Sequence, residues 1–69
     1  MTNTDMLKKA IEESGLKLSY IAEKLGISRA GLRNKLQNKT EFTESEIIKL
    51  SQLLNLNSEA RDQIFLGAG

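Results

Sequence analysis

Sixty-nine residues with a net charge of +1 make one small domain, whose modest core has to be tightly packed or shared with a second copy to be stable. The chain has neither cysteine nor histidine, which excludes disulfides, histidine bases and the usual zinc sites and leaves only carboxylates, lysines and hydroxyls for chemistry. No apolar run reaches membrane-spanning length, and the opening MTNTDMLKK lacks the apolar region of a signal peptide, so a cytoplasmic protein with no membrane contact, no cofactor and no enzymatic activity is expected.

A first helix is predicted from Asp5 to Ser14, capped by Thr4 or Asn3, with Leu7, Ala10 and Ile11 as its buried stripe and Gly15 as its stop. In the next, Leu18, Ile21, Ala22 and Leu25 recur at the i, i+3, i+4, i+7 spacing that lines one helix face. Gly26 can take the left-handed conformation that ends a helix and lets the chain turn sharply. Ile27 then plugs the turn, and Ser28 is a good N-cap for a third helix over 29–36.

That third helix is differently made. Its apolar residues are few, Leu32 and Leu36, whereas Arg29, Ala30, Arg33, Asn34 and Gln37 fall within an arc of roughly 140° on another side. Arginine and asparagine are the side chains that make paired hydrogen bonds to guanine and adenine edges. Beyond a short loop, Thr43 and Glu46 form a capping box, with Phe42 and Ile47 placed as the staple across it. The fourth helix should therefore begin at Glu44, present Ile47, Leu50, Leu53 and Leu54 to the core, and end near Asn55. Ser58 is a plausible cap for a fifth helix from Glu59 to Phe65, although residues 63–66 are too few to distinguish helix from strand by periodicity. Ile64, Phe65 and Leu66 are consecutive apolar residues that one helix face cannot bury, so either the rest of the fold covers them or a second copy does. Residues 1–66 are expected to form the domain and 67–69 a disordered tail.

Charge is unevenly distributed. Residues 1–39 carry eight lysines and arginines against four acids, and residues 40–69 carry two against five. A basic half suits a polyanion, and the acidic half should face away from it.

An alanine four residues before a glycine and a leucine six residues after it, here Ala22, Gly26 and Leu32, is the helix-turn-helix arrangement. Ala22 must be small where two helices cross, Gly26 must turn, and Leu32 must anchor the second helix. Read with GLKLSYIAEKLGIS before it and LRNKLQNKT after it, this stretch resembles the phage Cro and CI repressor family, and is most similar to small Cro-like proteins of phages from Gram-positive bacteria. Three positions depart from that pattern. Leu18 stands where many members have a glutamine that braces a recognition-helix side chain, Asn38 replaces a common glycine, and Lys35 occupies a frequent core position, with Leu36 taking that job.

The resemblance implies an all-α, five-helix lambda-repressor-like domain that regulates transcription by sequence-specific binding of double-stranded DNA. It maps Ser28, Arg29, Ala30, Arg33 and Asn34 to groove-facing positions and Ser19, Lys39 and Thr40 to backbone-contacting ones. Arg29 and Arg33 would take guanine, Asn34 adenine and Ala30 a thymine methyl. A homodimer on an approximately palindromic operator is expected, because one recognition helix reads only a few base pairs. The alternative is a protein-binding antirepressor on the same scaffold, with another repressor as its partner.

Overall fold

The computed structural model describes residues 1–66. Its five helices are α1 (Thr4–Ser14), α2 (Leu18–Leu25), α3 (Arg29–Leu36), α4 (Glu44–Leu53) and α5 (Ser58–Phe65), and the described residues contain no strand. The expected all-α class and helix count hold, and the tail at 67–69 lies outside the described residues.

Side-chain caps start four of the helices. Asn3 accepts from the Met6 N–H, so it rather than Thr4 caps α1, and the helix begins one residue earlier than expected. Ser28 accepts from Gly31 N–H at 2.9 Å. The Thr43 and Glu46 capping box is complete in both directions. At α5 the cap is Asn57, which accepts from Ala60 N–H at 2.8 Å, and Ser58 is the first helical residue instead. Only α2 has no side-chain cap, its N-cap being Lys17.

Four helices end by a left-handed residue, two glycines and two asparagines. After α2, Gly26 (φ 74°) donates to Glu23 O and Ile27 donates to Ala22 O, the paired bonds of a Schellman closure. Asn38 (φ 59°) and Asn55 (φ 56°) close α3 and α4 with the same pair of bonds, through Lys39 N to Asn34 O and Leu56 N to Ser51 O. Asparagine enters this region more readily than other non-glycine residues. Asn55 thus turns the chain two residues after α4 has ended at Leu53, short of the expected helix end at Asn55 itself.

Between them the helices enclose Leu7, Ile11, Ile21, Ala22, Leu25, Leu32, Leu36, Phe42, Leu50, Ile64 and Phe65. α2 lies at the centre, against both α3 and α4, while α1 packs on α3 and α5. The apolar tail is largely core, so of the two expected roles, cover by the fold or by a second copy, the first holds for Ile64 and Phe65. Ile64 and Phe65 are buried, the Phe65 ring meets Phe42 edge-on at 5.6 Å, and Ile64 O accepts from Asn3 N–H. Residues 63–65 are helical, and only Leu66 of the trio remains exposed. α5 buries more than one side because α1 and the Phe42 loop approach it from different directions.

Candidate nucleic-acid interface

Ala22, 2% exposed, sits in the core where α2 meets α3, and Leu32, 0% exposed, anchors α3 from the other side. Burial of Leu32 and Leu36 fixes which face of α3 turns outward. Arg29, Ala30, Arg33 and Asn34 are all exposed, and with Gln37 they line one shallow depression. Gln37 belongs to this surface by position although it was not among the expected contact residues.

Ser28 and Ser19 are exposed at the starts of α3 and α2. The Ser28 hydroxyl oxygen is occupied by the Gly31 N–H, so capping uses its acceptor and leaves its proton for another partner. Lys39 and Thr40 are exposed in the loop after α3, at the far end of the same helix. Among the described residues no carboxylate lies within salt-bridge distance of Arg29, Arg33 or Lys39. Three cations without a protein counter-charge beside a row of donors suit a polyanion rather than a protein core.

Leu18 is half-buried against the core and helps line a largely apolar groove with Ile11, Leu36 and the stem of Arg33. Packing, not a polar brace, is what this position contributes.

Lys35 behaves unlike the other cations of α3. Its ammonium donates to Glu41 O at 2.8 Å, meets Glu46 Oε1 at 3.0 Å and lies 5.7 Å from the Phe42 ring centre. The pair keeps only 13% and 11% of its side-chain exposure. Burial on its own would push the Glu46 carboxyl up. The Thr43 backbone N–H, the Lys35 ammonium and the Thr43 hydroxyl outweigh burial and hold it below its ordinary value of 4.5. This tie between α3 and α4 spans eleven positions, so no local spacing rule could have announced it.

A family model for the helix-turn-helix, of Cro/CI type, matches residues 7–60. The chain belongs to this helix-turn-helix family. Its members are DNA-binding transcription regulators and are generally not enzymes, and double-stranded DNA is the partner this domain type takes. The matched span takes in all of α2, the turn, α3 and α4, so the motif found from Ala22, Gly26 and Leu32 lies inside it. No curated protein and no solved structure matches the chain significantly. Among the described residues no group of three or more acidic, histidine or cysteine side chains is placed to hold a metal ion, and no helix is long and apolar enough to cross a membrane.

Proposed function

We propose that this helix-turn-helix domain is a Cro-like repressor that reads a specific operator through the major groove with α3. The observation that carries this reading is the exposed arc of α3, where the side chains of Arg29, Arg33 and Asn34 stand together and those two arginines have no salt bridge among the described residues. Arg29 and Arg33 each take a guanine edge, Asn34 an adenine, and Ala30 a thymine methyl. Ser28 stands at the groove-side end of the same face. Ser19 at the start of α2, with Lys39 and Thr40 after α3, engages phosphates on either side, fixing register rather than sequence.

The regulator works as a homodimer. One copy carries one reading helix, α3, whereas successive major grooves on one side of a duplex are about 34 Å apart, so reading both takes two copies. A suitable surface lies between α4 and α5, opposite in charge character to the basic half. There Ile48, 49% exposed, and Leu66, 69% exposed, flank Ile47 and Phe65 and are rimmed by Glu44, Arg61 and Asp62. An apolar centre with both charge signs at its rim is self-complementary across a two-fold axis.

The test is a titration with random-sequence duplex at rising salt. A DNA-binding regulator retains measurable non-specific affinity at low salt, and the logarithm of its binding constant falls linearly with log[salt]. Replacing Arg29, Arg33 and Asn34 together by alanine should abolish any operator preference. Absence of duplex binding at low salt would transfer the assignment to a protein-binding antirepressor.

A further inference from the structure

Taking α3 as the DNA-reading helix, we propose that Lys35 is a positioning residue that never touches DNA: clamped by Glu46, it holds the loop carrying Lys39 and Thr40 in its phosphate-contacting place. Three ties fix this loop. Lys35 reaches forward to Glu41 O and Glu46, Phe42 is buried against Phe65, and the Asn38 side-chain amide donates to Thr2 O at 3.1 Å. Between those anchors Lys39 is held by its own N–H on Asn34 O at 2.9 Å, with its side chain exposed. Lys35 is thus the cation of α3 whose charge is spent inside the protein, and its largely covered ammonium cannot reach a phosphate without abandoning Glu46.

Physical chemistry favours this use of a lysine. A carboxylate already anchored by a capping box is a fixed counter-charge, so the ammonium meeting it loses little further freedom. A loop ordered before binding does not have to be ordered at the cost of affinity.

The sign of one substitution separates the clamp from plain electrostatics. Glu46→Gln removes an acid and takes the counter-charge from the Lys35 ammonium, weakening its hold, yet a glutamine still completes the capping box. Charge counting predicts tighter DNA binding, whereas the clamp predicts binding weaker by about tenfold. Lys35→Met, which keeps an apolar stem over Phe42, should weaken binding by a similar factor. In a background with both Lys39→Ala and Thr40→Ala the effect of Glu46→Gln should vanish, because it acts through those two residues. Amide hydrogen exchange supplies a readout that needs no DNA: the Asn38 and Lys39 amides should lose protection in both variants while those of α1 and α2 keep theirs. Tighter or unchanged binding by Glu46→Gln, an effect that persists without both Lys39 and Thr40, or unaltered exchange of the loop amides would each overturn the proposal. Failure of the wild-type chain to bind any duplex would refute the reading of α3 and the positioning role with it, and the exchange result tells that failure apart from a loop that was never clamped.

Discussion

Leu32 and Arg33 are neighbours in sequence with opposite predicted roles, and alanine at each should fail in a different assay. Leu32 is 0% exposed and belongs to the core, on the helix that packs against α1 and α2. Removing a buried leucine side chain costs about 2 to 5 kcal/mol, depending on how far the site can collapse. A domain of this size rarely holds more than about 3 to 5 kcal/mol in total, so Leu32→Ala should be substantially unfolded at 25 °C. Arg33 is exposed and makes no salt bridge among the described residues. Its replacement should change stability by no more than about 0.5 kcal/mol, a melting shift of roughly 2 to 4 °C. Loss of a bidentate base contact should instead weaken operator binding by about 1 to 3 kcal/mol and relax preference at one or two base pairs. Circular dichroism melts and duplex titrations on both variants decide the matter. A cooperatively folded Leu32→Ala, or an Arg33→Ala that unfolds or keeps full affinity and preference, would refute the placement of the two faces of α3.

The turn makes a second prediction: Ala22→Leu should cost about 1 to 3 kcal/mol by overpacking the crossing of α2 and α3, and unchanged melting would remove that crossing from the argument. At Gly26 a Cβ meets nothing within 4 Å but φ is +74°, so Gly26→Ala should cost only the left-handed strain of about 1 to 2 kcal/mol, and a larger loss would point to a steric contact instead. The depressed Glu46 carboxyl contributes stability that is fully present above its ordinary 4.5 and is lost as pH falls through the lower folded value. Glu46→Gln should therefore flatten the acid side of the melting profile, and an unchanged profile would show that the carboxylate is not what acid titrates. At the tail, Phe65→Ser should unfold the domain, whereas Ile48→Ser with Leu66→Ser should leave it folded but more monomeric by sedimentation and weaker on operator DNA. A folded double variant that associates and binds as before would place the dimer contact elsewhere.

Much of this was readable because the signals were local. The α2 stripe, the turn glycine, the Ser28 cap and the Thr43 and Glu46 box are each built from steps of at most four positions, and the structure has them where spacing put them. At α5 two good caps stand side by side, Asn57 and Ser58, and only the backbone decides between them. The run Ile64, Phe65, Leu66 left two roles open for a related reason. Periodicity assumes one buried face, but α1 and Phe42 cover two sides of this helix, so consecutive residues go into the core. The Lys35 and Glu46 pair was illegible because it depends on how α3 meets α4, a tertiary fact. For the interface, the arc of α3 was legible from helical geometry, and burial of Leu32 and Leu36 turned it outward as expected.

Selection of binding sites from a random pool of duplexes bears on operator reading, symmetry and half-site spacing together. The wild-type chain should enrich an approximate palindrome whose half-sites lie about one helical turn, 34 Å, apart, and alanine at Arg33 or Asn34 should erase preference at one or two base pairs in each half. A pool left unenriched, or an enriched sequence indifferent to those substitutions, would contradict the assignment of α3 as the reading helix.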